Sequence, residues 1–263
     1  MKFISLNLWF GGILFDNLST FLREQQPDIL ALQEVYAGRA EHGEPRFRSV
    51  EALSQLLDLP HTAFAPALET TVGGARLEMG NAILSRWPIR ERETVFFDIP
   101  YGTASLEEAD RRCSTPGQEF SRLAYGSDGR GTPGDRLPRN LQRAAIDIDG
   151  TVIQVFNTQG IWGTDGNDNV RRLAMGETIA AQVSGIRRAI LSGDFNVDVN
   201  TETVRTIERE LTNVFKDKLT STFNMPRKDT PALARAVVDM IFFGSGIAVE
   251  RAECPAVDIS DHL

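Results

Sequence analysis

Polar side chains that can bind a cation or transfer a proton stand at the ends of apolar runs along this chain. The set comprises Asn7, Glu34, Asp194, Asn196, Asp239, Asp261 and His262. A single carboxylate after a strand is most often a turn or cap residue, so Glu34 alone predicts little. Asp239 is more informative, because it lies within the apolar run 237–243, where an unpaired charge is too costly to bury. Taken together, the set predicts one polar site.

The side chains of this set favour oxygen-rich metal coordination. Carboxylate and amide oxygens are the ligands that Mg²⁺ and Mn²⁺ prefer, whereas structural zinc sites usually contain cysteine or several histidines. A single histidine, His262, is available for acid–base work or for contact with a phosphate. Asp239 is expected to pair with His262, because a carboxylate fixes the tautomer of an imidazole and raises its basicity. The predicted chemistry is divalent-metal-dependent hydrolysis of a phosphoester.

Short apolar runs bounded by Gly, Pro, Asn and Asp predict the strands that position these side chains. The clearest runs are 3–9, 29–33, 81–85, 95–99, 144–148, 152–157, 189–192, 237–243 and 247–252. Helical periodicity predicts helices at 17–25, 50–57, 170–183 and 201–211. The turn Asp149-Gly150 predicts a hairpin between two of the strands, so the sheets are expected to be mixed. The pattern indicates an α/β fold with sandwiched layers.

The length and the net charge of the chain limit the classes of function that it can have. The chain has 263 residues, a formal net charge of −8 and two cysteines. The acidic balance argues against dense non-specific binding to nucleic acid, although it does not exclude a nuclease with a metal site. The cysteines, Cys113 and Cys254, are expected to be free thiols. With no signal peptide and no apolar run that could span a bilayer, we expect a cytoplasmic monomer.

Residues 101–143 differ from the rest of the chain. The segment is rich in Gly, Pro and Ser and contains seven arginines, namely Arg111, Arg112, Arg122, Arg130, Arg136, Arg139 and Arg143. A long irregular loop of this kind is either functional or a solvated excursion, and the sequence leaves both interpretations open. The arginines are a possible basic track for nucleic acid, and Trp9, Phe10 and Trp162 can stack on bases or pack in the core.

Seven short segments in order along the chain resemble the endonuclease/exonuclease/phosphatase superfamily, which includes DNase I. They are residues 5–7, 32–35, 80–86, 157–158, 192–196, 238–241 and 260–262. The resemblance implies one domain over residues 1–263, with residues 101–143 as an irregular insertion. It also implies a four-layer sandwich of two packed mixed β-sheets flanked by helices, and a Mg²⁺-dependent or Mn²⁺-dependent enzyme.

The resemblance further implies roles for individual residues. Glu34 corresponds to the main metal ligand, with Asn7 beside it and Asp261 as an auxiliary ligand. Asp194 corresponds to the residue that positions or deprotonates the attacking water, and Asn196 to an orienter of phosphate and nucleophile. The remaining site residues that it implies are His262 paired with Asp239, Asn157 as a further catalytic residue, and Asn81 and Gln159 in substrate binding. Asn81 is equally well interpreted as a turn residue.

Two features depart from the family pattern. Gln159 stands where members usually carry a second histidine, and glutamine can donate a hydrogen bond but cannot carry a proton. The chain also stops one residue after His262, where the closing motif normally continues, so we expect a truncation or a loosely held His262. An active hydrolase is favoured over a weakened or non-catalytic binding member. The substrate stays open between nucleic acid and smaller phosphoesters.

Overall fold

The protein is described by a computed structural model that covers residues 1–39, 41, 43–72, 75–102, 137–163, 165–228 and 231–263. Most of the Arg-rich segment, including Cys113, lies outside these ranges, so its predicted role is not addressed by the structure. Cys254 is a free thiol. None of the helices in the described ranges is long and apolar enough to cross a bilayer.

Two mixed sheets and four α-helices make up the described regular structure, apart from short 3₁₀ turns. The strands are β1 (Phe3–Asn7), β2 (Ile29–Tyr36), β3 (His61–Val72), β4 (Ala75–Ser85), β5 (Ile89–Phe96), β6 (Asn140–Ile148), β7 (Thr151–Gln159), β8 (Ala189–Asp194), β9 (Thr212–Asn213) and β10 (Asp239–Phe243). The helices are α1 (Phe15–Gln25), α2 (Ser49–Leu57), α3 (Val170–Val183) and α4 (Glu202–Glu208). All four predicted helices are present, with ends shifted by at most three residues.

The four-stranded sheet has the order β1-β2-β4-β3, and the six-stranded sheet has the order β5-β6-β7-β8-β10-β9. In each sheet one neighbouring pair is parallel, β1 with β2 and β7 with β8, while the other pairs are antiparallel. The predicted mixed sheets are therefore confirmed. The predicted hairpin is confirmed as well, because β6 and β7 pair across Asp149 and Gly150, which both adopt positive φ, as a tight hairpin turn requires.

Three apolar clusters separate the layers. Aliphatic side chains of both sheets, such as Ile83 and Ile146, pack against each other between the sheets. Helices α1 and α2 cover the outer face of the four-stranded sheet, where Leu22 and Leu53 are buried. Helices α3 and α4 cover the outer face of the six-stranded sheet, where Ile179 is buried. The order helix, sheet, sheet, helix is the four-layer α/β sandwich that was predicted.

Several strand predictions were wrong. Residues 95–99 overlap β5 only at Val95 and Phe96, and the two-residue strand β9 was not predicted. Strand β3 is not among the predicted strands, because Pro66 interrupts its sequence pattern. The structure accommodates the proline at a register shift between Pro66 and Leu68, opposite Gly80. Residues 247–252 were predicted as a strand but do not form one. After β10 the chain turns at Gly244, and Val249 is exposed, so this apolar run has no neighbouring strand on which to pack.

Candidate active site

The site lies where strand ends from both sheets meet. In the six-stranded sheet, Asp194 at the end of β8 is in register with Gln159 of parallel β7 and with Asp239 of antiparallel β10. In the four-stranded sheet, Asn7 ends β1 beside Gln33 of β2. Since the carboxyl ends of parallel strands share one edge of a sheet, side chains from distant segments converge there.

The carboxylate of Glu34 accepts hydrogen bonds from residues at or next to several of these strand ends. Its Oε1 accepts hydrogen bonds from Gln159 Nε2 at 2.7 Å and from Asn7 Nδ2 at 3.2 Å, and its Oε2 accepts one from the Phe10 amide at 3.1 Å. Asn7 Nδ2 also donates to Asp194 Oδ2 at 3.1 Å, so one amide connects the two carboxylates. The structure therefore brings Asn7, Glu34, Gln159 and Asp194 into a single cluster.

The backbone at Glu34 is unusual for its residue type. Glu34 has φ +57°, and the register of β2 against β4 shifts between Leu32 and Val35, as at a β-bulge. A positive φ at a non-glycine residue costs of order 1 kcal/mol or more and persists only where surrounding contacts impose it. Here the bulge turns the carboxylate toward β1, the segment that follows β1, and β7, where its three donors lie.

The segment after β8 holds Asp194 and Asn196 in a tight turn. Gly193 allows β7 to lie close to the backbone of β8, because a Cβ at position 193 would lie 1.9 Å from the Thr158 carbonyl oxygen. Asp194 Oδ1 accepts the Asn196 amide at 3.0 Å, and the Asn196 side chain donates to the Gly160 carbonyl at 3.0 Å. Asn196 has φ +56°, a conformation that asparagine tolerates better than most residues. The motif thus fixes both side chains relative to the backbone.

Asp194 is buried, with 2% of its surface exposed. Burial raises its pKa to about 6, and the nearby Asp239 and Glu34 add to this effect, whereas His262 opposes it. A carboxylate whose pKa is close to neutrality can accept a proton from a bound water more readily than an ordinary aspartate. The side chain is therefore suited to general-base chemistry.

His262 and Asp239 form the predicted pair, with His262 Nδ1 2.8 Å from Asp239 Oδ2. Single ligand atoms of Asp194, Asp239 and His262 lie within 4.8 Å of one another. Burial by itself lowers the pKa of His262, but Asp239 and, more weakly, Asp261 and Asp194 raise it to about 10. The imidazolium is thus the form present at neutral pH.

The segment that carries His262 is well held, contrary to the expectation of a loose terminus. His262 forms an antiparallel bridge with Phe223, and their rings lie 4.8 Å apart between centroids. The Leu263 amide donates to the Thr222 carbonyl at 2.8 Å, and the Ser260 hydroxyl donates to the Asn7 carbonyl at 2.6 Å. These contacts dock the closing motif on β1 and on the segment before β10.

The raised pKa of His262 predicts a pH-dependent stability. A histidine with a raised pKa stabilises the fold fully below its unfolded pKa of about 6.5, and the effect is lost as the pH rises through about 10. His262→Gln is therefore expected to lower the free energy of unfolding by about 3 kcal/mol at pH 6.5, as breaking a buried ion pair does. The difference from wild type shrinks toward pH 10. Urea unfolding in EDTA between these pH values measures it.

His61→Gln is the matched control for this experiment, since His61 lies at the start of β3 and does not belong to the site. It measures the effect of the same substitution at a position outside the site. A His262→Gln difference that stays constant from pH 6.5 to 10 contradicts the prediction.

Asn157 and Asn81 lie between the two sheets, beside the cluster. Asn157 is fully buried, and its amide donates to the carbonyls of Leu32 and Ala82 at 2.9 and 3.1 Å. Asn81 donates to Asn140 Oδ1 at 3.0 Å. These bonds join the four-stranded sheet to the six-stranded sheet, and they use the donors of both asparagines. The structure therefore places them as supports of the site, while their predicted catalytic and substrate-binding roles stay predictions.

Two basic residues join the site without having been singled out by sequence. Arg139, directly before β6, is 4% exposed; burial lowers its pKa, and Glu34 and Asp194 act against that effect. Its Nε has no hydrogen-bond partner among the described residues. Lys228 contacts Asp261. Arg139 was visible only as one arginine of an Arg-rich segment, and Lys228 stands in an irregular loop with no pattern that could reveal it.

The donor set fits a hard divalent cation. Glu34, Asp194 and Asp261 carry carboxylate oxygens and Asn7 carries an amide oxygen, which are the ligand types that Mg²⁺ and Mn²⁺ prefer. In this structure the nitrogen of the Asn7 amide faces Glu34 and Asp194, while its oxygen accepts the Trp9 amide. Burial is the main cause of the raised pKa of Asp194, so a cation bound beside this carboxylate would favour its ionised form.

Comparisons with solved structures agree with this fold. An endonuclease/exonuclease/phosphatase from Beutenbergia cavernae is 18% identical with a TM-score of 0.66, covering 99% of this chain and 68% of that chain. The mannosyl-6-phosphatase Bt3783 of Bacteroides thetaiotaomicron is 17% identical with a TM-score of 0.57, covering 99% and 96%. Sphingomyelinase C from Streptomyces griseocarneus is 16% identical with a TM-score of 0.52, covering 95% and 85%. At such identities the likeness concerns the fold.

Sequence comparison identifies the family. Among curated proteins, no sequence match is significant. The model of the Endonuclease/Exonuclease/phosphatase family, in contrast, matches residues 4–262. Because this match includes both sheets and every strand end of the site, the chain belongs to the endonuclease/exonuclease/phosphatase family.

Proposed function

We propose that the chain is a divalent-metal-dependent phosphoester hydrolase that uses in-line attack of water, with Mg²⁺ or Mn²⁺ as its cofactor. The observation that carries the proposal is the position of Asp194. Its carboxylate is buried with a pKa of about 6, bound by Asn7 and the Asn196 amide, and within reach of the His262–Asp239 pair. A general base and a cationic acid thus stand side by side.

Each side chain has a role in this reaction. Asp194 accepts the proton of the attacking water, and Asn196 helps to orient that water. The imidazolium of His262, held by Asp239, contacts the phosphate and offsets the charge that develops on it. The buried guanidinium of Arg139, whose Nε is unpartnered among the described residues, is suited to bind a phosphate oxygen.

Glu34, with Asn7 beside it, would hold the metal ion. The family resemblance implies an auxiliary role for Asp261, whose Oδ2 is paired with Lys228 in this structure. When bound, a divalent ion supplies Lewis-acid polarisation of the phosphoryl group. Glu34 is prepared for this task by three hydrogen bonds that fix its carboxylate.

Gln159 bears on the alternative of a weakened or non-catalytic member. Its Nε2 donates to Glu34 at 2.7 Å, so the amide supports the proposed metal ligand and needs no proton to do so. A general acid–base group contributes about 10²–10⁴-fold, and the other acid–base residues of the site are present. We therefore favour a hydrolase in which Gln159 positions Glu34.

The proposal is tested by hydrolysis of bis(p-nitrophenyl) phosphate and p-nitrophenyl phosphate in Mg²⁺, in Mn²⁺ and in EDTA. We expect turnover in either metal and none in EDTA. A second panel then compares abasic duplex DNA, single-stranded DNA, RNA, nucleotides, phospholipid headgroup esters and sugar phosphates. Sugar phosphates are included because one structural relative is named a mannosyl-6-phosphatase, and headgroup esters because another is a sphingomyelinase.

The outcomes of this test are distinct. No turnover of any substrate in either metal supports the non-catalytic alternative and contradicts the proposal. Equal turnover with and without EDTA contradicts the role of the metal. Preference for a diester or a monoester assigns the substrate class, and cleavage of nucleic acid alone identifies a nuclease.

A further inference from the structure

Lys228 is a basic side chain of the site that the proposed reaction does not use. It follows the 3₁₀ turn Met225–Arg227, and its ammonium forms an ion pair with Asp261 Oδ2. The ammonium also lies 5.0 Å from the centroid of the Phe223 ring, which in turn stacks on His262. Its side chain is 22% exposed and that of Asp261 only 9%, so the pair is largely shielded from water.

The ammonium of Lys228 is a permanent charge at neutral pH. An unperturbed lysine has a pKa of about 10.4, and the ion pair with Asp261 favours the charged form of the side chain. The ammonium is bonded to an Asp261 oxygen that a metal ion at this carboxylate would need.

The charges of the site support this interpretation. The ion pair between Lys228 and Asp261 is neutral as a unit, so a second divalent ion at Asp261 would place two positive charges beside the Lys228 ammonium. At the reduced dielectric of a buried site, the second ion meets strong repulsion.

We propose that the ammonium of Lys228, through its ion pair with Asp261, prevents a metal ion from binding to this carboxylate. The pair thereby limits the active site to one divalent ion, which Glu34 binds. This inference rests on the proposed function, because it presumes that Glu34 binds a metal ion. Lys228 is a positioning residue: it acts through Asp261 and does not touch the reacting atoms.

The experiment is a Mn²⁺ titration of the full-length protein at pH 7.5, read by the electron paramagnetic resonance signal of free Mn²⁺ and by calorimetry. Wild type is expected to bind one Mn²⁺, and Lys228→Met to bind two. Lys228→Arg, which keeps the charge, and the double variant Lys228→Met/Asp261→Asn, which removes the released carboxylate, are each expected to bind one. Lys216→Met is the matched control, since Lys216 pairs with Glu208 at the end of α4, and it should bind one.

Two results overturn the inference while leaving the proposed function intact: a wild type that binds two ions, or a Lys228→Met variant that still binds one. Lys228→Gln serves as the second neutral variant if Lys228→Met fails to fold by circular dichroism. Loss of the single ion in Glu34→Gln shows that the underlying metal site is present. Absence of any Mn²⁺ binding by wild type overturns both the proposed function and this inference.

Discussion

Asp194→Asn is expected to lower kcat by about 10²–10⁴-fold with little change in KM, because it removes the proposed general base without removing the site. The amide keeps the size of the carboxylate and can still accept the Asn196 amide hydrogen bond. It cannot accept a proton from water. Steady-state kinetics on the best substrate of the panel measure the effect.

The same substitution is expected not to lower the stability of the metal-free protein at pH 7.5. A carboxylate whose pKa is raised to about 6 is less stable ionised in the folded chain than in the unfolded chain. This cost is absent below the unfolded pKa of about 3.8 and is complete once the pH has risen past about 6. The free energy of unfolding of Asp194→Asn relative to wild type should therefore rise between pH 4 and pH 6.

Asp217→Asn is the control for this comparison. Asp217 is exposed and has φ +59°, a conformation in which asparagine is well tolerated, so neither kcat nor stability should change. An Asp194→Asn enzyme within tenfold of wild-type kcat indicates that another group activates the water. If Asp194→Asn is markedly less stable than wild type at pH 7.5, the expected cost of ionising Asp194 in the folded chain is contradicted.

Glu34→Gln is expected to abolish stoichiometric Mn²⁺ binding in the micromolar range and to lower kcat/KM by about 10²–10³-fold. The estimate follows from the several kcal/mol that a metal ion contributes to a transition state in which charge develops. The glutamine side chain retains one oxygen, which can still accept from Gln159, but it loses the negative charge and the second acceptor for the Phe10 amide. Mn²⁺ titration and steady-state kinetics measure the two effects separately.

Glu177→Gln, an exposed change of the same kind on α3, is the control and should leave both quantities at their wild-type values. If Glu34→Gln retains the wild-type affinity for Mn²⁺, other carboxylates of the site bind the metal ion. A loss of activity without a loss of Mn²⁺ binding assigns Glu34 a role in the reaction itself.

The motifs at strand ends could be identified from sequence because their information is local. Asp194 and Asn196 follow an apolar strand within a few residues, and the turn that they form is closed by their own backbone and side chains. Asp239 within an apolar run required a partner on physical grounds, and the structure supplies His262 at 2.8 Å. Local pattern also predicted the helices, as in α3, where Met175, Ile179 and Val183 share one buried face.

Other features could not be predicted, because they depend on contacts between distant segments. Strand β3 contains a proline that its position at the sheet edge and the register shift after Pro66 make compatible with a sheet. Residues 247–252 have an apolar pattern but find no neighbouring strand. Of the two alternatives predicted for the end of the chain, a truncation or a loosely held His262, the second does not hold, because the bridge to Phe223 fixes His262.

By itself the sequence determined which types of side chain are available for the chemistry of the site. They are hard oxygen ligands, one histidine with a carboxylate partner, and a glutamine where the family usually has a second histidine. Only the tertiary structure decided how these charges act on one another. Asn7 reaches Asp194 across 187 residues of sequence, and Lys228 reaches Asp261 across 33. Electrostatic energy depends on distance and burial in space, so the pKa of Asp194, the charge of His262 and the involvement of Arg139 and Lys228 follow from the packing of the two sheets.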